Sequence, residues 1–276
     1  MTSSLEGRVA FITGAARGQG RAHAVRLARE GVDIIAVDIC EDYPHMNYPN
    51  ASEADLAETV ALVEKLDRRI VARKADVRDF DQLKAAFDEG YAELGRLDIV
   101  IANAGIIRLG DEVDPIAEWQ EVIQTNLTGP FHTVRAALPA LKAGGRGGSI
   151  VITSSSAGIK GSGSPFASAQ AYTAAKRGLV GYMQTLANDL APEWIRVNTI
   201  HPTGVVSGMT MNEAMGAMMA QAAAGGDNAI SAMQNALPID ILQPEDIANA
   251  VAWLVSDEAK FITGIQLPLD AGFTVR

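Results

Sequence analysis

Strand-length apolar runs alternate with longer stretches of helical period along the whole chain, and that rhythm limits the fold more than any other feature. Arg8–Thr13 reads as a first strand, followed by a helix over Gly18–Glu30 that Gly31 ends. Val32–Val37, Arg69–Lys74, Leu97–Ala102, Ser149–Thr153, Ile195–Ile200 and Ile265–Leu269 supply six further strands. Between them the pattern predicts helices over Glu53–Leu66, Asp79–Glu93, Ile116–Lys142, Tyr172–Leu190 and Pro244–Ser256. Ser52 is the expected N-cap of the first of these, with Asp55 in the capping-box position.

Strands apolar on both sides need cover on both faces, which is how parallel sheets are built. Right-handed crossovers then give an α/β, single-domain Rossmann fold: a doubly wound, seven-stranded parallel sheet with helices on both faces. The whole of 1–276 is expected to be one domain, with a dinucleotide-binding part over about 8–200. Ligands of such a sheet bind beyond the carboxyl ends of its strands. Two segments break the rhythm at that edge. Ile39–Ala51 is a loop bearing proline and tyrosine, and Gly208–Leu237 is rich in Ala, Met and Gly.

The charge excludes several functions. With 23 basic and 33 acidic residues the net charge is −10, which offers no footprint for nucleic acid or an anionic membrane surface. No apolar stretch reaches the roughly 20 residues of a membrane span. Met1–Arg8 lacks the pattern of a signal peptide, so a cytoplasmic location is expected. Cys40 is the single cysteine, and His23, His45, His132 and His201 are too scattered for metal-ligand spacing. No metal is expected. His201 reads as a packed or capping residue rather than a catalytic one.

The turn after the first strand, Thr13-Gly14-Ala15-Ala16-Arg17-Gly18-Gln19-Gly20, has glycines spaced Gly-x-x-x-Gly-x-Gly. Glycine there allows a tight turn and lets backbone N–H groups approach a pyrophosphate at a helix N-terminus. Asp38 ends the second strand, where a carboxylate can accept from both ribose hydroxyls and repel a 2′-phosphate, which selects NAD over NADP. Arg17 pulls the other way, since a guanidinium near that ribose can hold a phosphate. Ile39 follows Asp38 at the same edge. Asp76-Val77 and Asn103-Ala104-Gly105 end the third and fourth strands there as well. Asp76 is a candidate for the adenine edge, and Asn103 for stabilising the sheet edge beside the ribose.

Tyr172 and Lys176 stand four residues apart at the expected start of a helix and so share a face. An ammonium beside a phenol favours the phenolate and lowers the tyrosine pKa, as a general acid/base requires. Ser154-Ser155-Ser156-Ala157-Gly158 follows the fifth strand, and Asn126 is a polar amide placed inside a long helix.

These elements together, with Pro202–Ser207, resemble the short-chain dehydrogenase/reductase family over nearly the whole length. The resemblance implies catalysis by Asn126, Ser155, Tyr172 and Lys176. Tyr172 would exchange a proton with the substrate oxygen, and Ser155, three residues before Gly158, would polarise that oxygen. Lys176 would lower the tyrosine pKa and bind the nicotinamide ribose, while Asn126 would hold a water of a proton relay. Val205 and Ser207 would meet the nicotinamide carboxamide, although the family's usual Pro-Gly is here Pro202-Thr203-Gly204. A homotetramer is implied, built through the helices near Ile116–Lys142 and Tyr172–Leu190.

The Ile39–Ala51 insertion, Asp55–Val60, Arg68–Arg73, Ser154–Gly161 and His201–Val205 are similar to the mycofactocin-associated, carveol dehydrogenase-like branch of that family. The branch implies oxidation of apolar or terpenoid secondary alcohols to ketones. It also implies a retained NAD that a mycofactocin redox partner reoxidises in place. Met209, Met211, Met215, Met218, Met219 and Met233 would form an adaptable substrate lid over about 208–237, or simply pack as helix. The competing readings are an NADPH-dependent carbonyl reductase, which Asp38 opposes, and a non-catalytic NAD-binding protein.

Overall fold

The computed structural model describes residues 5–108, 110, 112–161, 163–224 and 234–276. Seven strands form one sheet: β1 (Val9–Thr13), β2 (Asp33–Asp38), β3 (Ile70–Lys74), β4 (Ile99–Ala102), β5 (Gly148–Thr153), β6 (Ile195–Pro202) and β7 (Gln266–Leu269). Their order is β3-β2-β1-β4-β5-β6-β7, and every neighbouring pair is parallel. The helices are α1 (Gly18–Ala28), α2 (Glu53–Glu64), α3 (Phe80–Leu94), α4 (Pro115–Ile123), α5 (Gly129–Gly144), α6 (Ala167–Leu190), α7 (Glu213–Ala224) and α8 (Pro244–Val255). This is the doubly wound architecture that the rhythm predicts.

The period of two within each strand divides the core between the two faces. Ala10 and Ile12 of β1, with Ile34 and Ala36 of β2, join Leu27 of α1, Leu56 of α2 and Val251 of α8. Val9, Phe11, Ile35 and Val37 join Phe87 of α3, Val134 of α5 and Leu179 of α6 on the other face. The capping box at the head of α2 forms as expected, with Ser52 and Asp55 exchanging side-chain and backbone bonds.

Two helices depart from expectation. The stretch read as one helix over 116–142 contains a π turn at Gln124–Thr128 between α4 and α5. Pro130, four residues beyond Asn126, has no N–H, so the Asn126 carbonyl lacks its α-helical donor. The catalytic-candidate helix α6 starts at Ala167 rather than Tyr172. Its first turn is capped from a distance by the Glu112 carboxylate, which accepts from Ala167 N–H; Ser168 Oγ in turn accepts from Arg108 N–H at 2.9 Å and ties that loop to the helix. Tyr172 and Lys176 therefore sit inside the helix, away from its fraying end.

Gly90 on α3 shows how closely the faces fit. A Cβ at this position would lie 2.6 Å from Ile35 Cγ2. Alanine gains about 1 kcal/mol in helix propensity over glycine, but overpacking costs about 1–3 kcal/mol. Gly90→Ala should therefore lower the denaturant midpoint. A raised midpoint would show that Ile35 yields.

Candidate active site

The loop after β1 turns sharply at Gly14, whose φ is +67°, and runs into α1 behind Arg17. A Cβ at Gly20 would lie 1.9 Å from the Gly14 carbonyl oxygen, so only glycine lets the helix start this close to the turn. Asn103 fastens the neighbouring strand end: its Nδ2 donates to Thr13 O at 3.2 Å and Gly14 O at 3.3 Å. The resulting cleft is lined by Gly14, Arg17, Gly18, Gln19, Asp38 and Ile39, and by Ala75, Val77 and Asn103–Ile106.

Asp38 is buried at the end of β2. Its Oδ2 accepts from Ala16 N–H at 2.9 Å and its Oδ1 from Cys40 N–H at 3.3 Å. Burial raises its pKa, and these backbone donors oppose the rise. A carboxylate has about four lone-pair sites, so both oxygens keep capacity toward the cleft. Gln19 Oε1 is buried without a hydrogen-bond partner among the described residues, and Gln19 lines the cleft. An adenine dinucleotide fits this donor set: a glycine loop at a helix N-terminus, a carboxylate with spare acceptors and an orphaned amide oxygen.

The Asp76 carboxylate accepts from Arg78 Nε and from Arg78 N–H, each at 2.8 Å, and its neighbours Ala75 and Val77 line the cleft.

The Ile39–Ala51 segment forms a strap across the cleft rather than a bulge on its own helix. Tyr43, Tyr48, Asn50 and Ala51 line the cleft, with Tyr43 5% and Tyr48 6% exposed. Tyr48 Oη accepts from Ile107 N–H at 3.3 Å. Arg17 donates to Pro49 O at 2.7 Å, and Arg108, paired with buried Glu118 at 3.2 Å, donates to His45 O at 3.1 Å. The Arg78 guanidinium lies 4.3 Å from the centre of the Tyr43 ring. The two tyrosines are site residues that the motif reading overlooked; their signal was an aromatic pair inside a polar insertion directly after Asp38.

A second hollow of about 280 Å³ adjoins the first and shares Gln19, Asn103, Gly105, Ser207 and Met209 with it. Thr153–Ser156, Tyr172 and Lys176 form one wall; Pro202–Val205, Ile107, Thr210 and Met215 form the other. Among the lid methionines, Met209 and Met215 line this hollow and Met211 is 65% exposed. The side chains of Met218 and Met219, and Met233, lie outside the described residues. Val205 pairs with Leu242 in an isolated bridge, and Ser207 faces both hollows.

Lys176 Nζ donates to Thr153 O at 2.7 Å and lies 5.5 Å from the centre of the Tyr172 ring. Ser154 Oγ donates to Lys176 O at 2.8 Å, which ties the end of β5 to α6. Ser155 Oγ accepts from Ala157 N–H at 3.2 Å and hydrogen-bonds the Tyr172 phenol. The Asn126 side-chain amide holds Ile106, accepting from its N–H at 2.8 Å and donating to its carbonyl at 2.7 Å.

The proton energetics differ from the simple pair expected. Burial raises the Tyr172 pKa, and the Ser155 hydrogen bond opposes the rise. Burial also pushes the Lys176 ammonium down to about 7. Burial thus draws both groups toward their neutral forms.

The model of a family described as enoyl-(acyl carrier protein) reductase matches residues 14–274. A short-chain type dehydrogenase/reductase of Mycolicibacterium smegmatis is 49% identical over 279 residues, covering 99% of each chain. The chain belongs to the short-chain dehydrogenase/reductase family. Among other members of the short-chain dehydrogenases, the (−)-trans-carveol dehydrogenase of Rhodococcus erythropolis is 46% identical over 279 residues, covering 99% of each chain. The crystal structure of carveol dehydrogenase from Mycobacterium avium in complex with NAD superposes with a TM-score of 0.91 at 46% identity, covering 100% of each chain. Among the described residues no helix is long and apolar enough to cross a membrane, and no side-chain group is suited to a metal ion.

The buried lysine has a thermodynamic signature. Its folded-state pKa of about 7 lies below the ordinary lysine value of 10.5. Between these values the unfolded chain binds the extra proton, so stability rises with pH. The stability of nucleotide-free protein relative to Lys176→Met should therefore climb from pH 7 toward pH 9 in urea titrations. A flat difference would mean that Lys176 keeps its charge.

Proposed function

We propose that this protein is an NAD-dependent alcohol dehydrogenase that oxidises an apolar secondary alcohol, terpenoid or otherwise cyclic, to the ketone. The observation that carries this reading is the meeting of Tyr172, Ser155 and Lys176 on one wall of a hollow that opens onto the dinucleotide cleft. NAD, when bound, supplies the acceptor for the hydride that leaves the carbinol carbon.

The chain's own residues handle the oxygen and the proton. Once the Tyr172 phenol has passed its own proton to the Lys176 amine, its Oη takes the hydroxyl proton, while the Ser155 hydroxyl donates to the same substrate oxygen and holds it in place. Lys176, anchored on Thr153 O, and a water on the Asn126 carbonyl carry the proton outward. Asp38 favours a free ribose 2′-hydroxyl, which argues against the NADPH-dependent reductase. Ile107, Pro202, Val205, Met209 and Met215 give the hollow an apolar side, and among the described residues Lys176 is the only Lys, Arg, Asp or Glu that lines it. That lining suits an uncharged, bulky alcohol.

The strap supports a second element of the reading: NAD that stays bound between turnovers and is reoxidised by a separate redox partner, mycofactocin. Its anchors on Arg17, Ile107 and Arg108 span the cleft from the glycine loop to the β4 edge. The half-exposed apolar residues Trp119 on α4 and Phe131 on α5 suit a homotetramer packed through this helical face.

The direct test is to denature purified protein and identify any released nucleotide. Carveol and cyclohexanol are then assayed with added NAD, with and without a dye acceptor. NAD or NADH in the supernatant, with turnover that needs the dye, is expected. An empty site with ordinary turnover would leave the dehydrogenase and remove the retention. Tyr172→Phe should lose turnover by at least about 100-fold, the scale of a lost general acid/base, while nucleotide still binds. Removing Tyr43–Asn50 should speed nucleotide release measured by stopped flow, and an unchanged off-rate would show that the strap does not hold it.

A further inference from the structure

His201 is fully buried at the end of β6, 0% exposed, and the reaction as proposed makes no use of it. Its Nδ1 lies 2.8 Å from the carbonyl oxygen of Ser155, and its Nε2 lies 2.9 Å from Thr199 Oγ1. A carbonyl only accepts, so Nδ1 carries the proton. Burial lowers the ring's pKa below its usual value. The neutral ring then accepts at Nε2 from the Thr199 hydroxyl, whose other acceptor, Ile265 O, is more distant at 3.4 Å. Thr199 thereby fixes the tautomer that Ser155 needs.

The backbone explains why a side chain is needed here. The β5–β6 ladder runs to Ser154 N–H, which donates to Ile200 O at 2.9 Å. The next bond of a parallel ladder would come from the N–H of residue 202, which is Pro202 and has none. The strands are unlinked by backbone just where the catalytic-candidate serine begins its turn. Ser155 O also accepts from Gly158 N–H at 2.8 Å, but that bond is internal to the turn and moves with it. His201 supplies a link from the turn to the sheet.

We propose that His201 is a positioning residue: through the Ser155 carbonyl it holds the serine hydroxyl at its station beside Tyr172. The opposite side of the turn is already closed. A Cβ on Gly158 would lie 2.5 Å from Ser154 Oγ and 2.9 Å from Lys176 O, so the turn is pressed against α6. With His201 behind it and α6 in front, the Ser155 hydroxyl has one place to be. Loss of the strut lets the turn shift outward from the phenol, and misplacement of this kind costs up to about 100-fold in rate.

The inference rests on the dehydrogenase reading, and the experiment separates the two. Turnover of carveol and cyclohexanol is measured for His201→Phe, His201→Asn, Ser155→Ala and the double variant His201→Phe/Ser155→Ala. His201→Phe should lose about 10- to 100-fold in kcat, with nucleotide affinity and KM changed little. His201→Asn, whose amide can place a donor near the Nδ1 position, should recover most of that loss. In the Ser155→Ala background His201→Phe should cost less than about 3-fold, because residues acting as one unit are non-additive. Unchanged kcat in His201→Phe, or an equal loss in both backgrounds, overturns the proposal. Full activity in Ser155→Ala would sink the dehydrogenase reading itself. A readout independent of turnover and of variant folding is the His201 tautomer of the wild-type protein by long-range ¹H–¹⁵N correlation. The Nδ1–H form is expected, and the Nε2–H form would remove the strut.

Discussion

The chain leaves β1 and β4, which are neighbours in the sheet, toward opposite faces. After β1 it runs to α1, which packs with α8 on one face; after β4 it runs by way of α4 to α5, which packs with α3 and α6 on the other. A crevice must open between the two departing loops, and it can neither close nor move without changing the strand order. The loops approach as closely as backbone allows: a Cβ on Gly14 would come 2.9 Å from Ala104 Cα. Asp38 reaches the crevice from one side, and Ser155 and Tyr172 reach it from the other. The strap, Gly208 and Met209 complete its lining.

Charge at this crevice is held by backbone more than by counter-charge. Asp38 is met by two N–H groups, Lys176 by one carbonyl, and Glu118 by Val113 N–H at 2.8 Å as well as by Arg108. Backbone dipoles fix position without supplying a full opposite charge, so the desolvation cost is only partly offset. The consequence appears in the directions of the shifts: Asp38 and Tyr172 rise, Lys176 falls.

What was legible in the sequence is what depends on local pattern. The strands, the α2 capping box and the glycine turn are each decided by residues within a few positions of one another, and each stands where the pattern puts it. What was not legible depends on distant contact. The start of α6 is capped by Glu112, 55 residues upstream, whereas Phe166 offers no side-chain cap of its own. Tyr43 and Tyr48 belong to no motif; their burial follows from the floor they cover. The π turn had a local trace in Pro130, which the helical period of its surroundings masked.

Pro202 joins these levels. It lies within β6 and keeps its register with Leu269 of β7, so the strand itself is not broken. Its missing N–H affects only the side facing β5, where the ladder ends after Ser154. Beyond that point the two chains diverge: one turns through Ser155–Gly158 under α6, the other passes through Thr203 and Gly204 to pair again at Val205 with Leu242. The hollow lined by Thr153–Ser156 and Pro202–Val205 is the space this divergence leaves. This hollow is thus a gap at the end of a sheet ladder, opened by the one residue type that cannot donate to it, and two of its walls, Thr153–Ser156 and Pro202–Val205, run on directly from the interior strands β5 and β6.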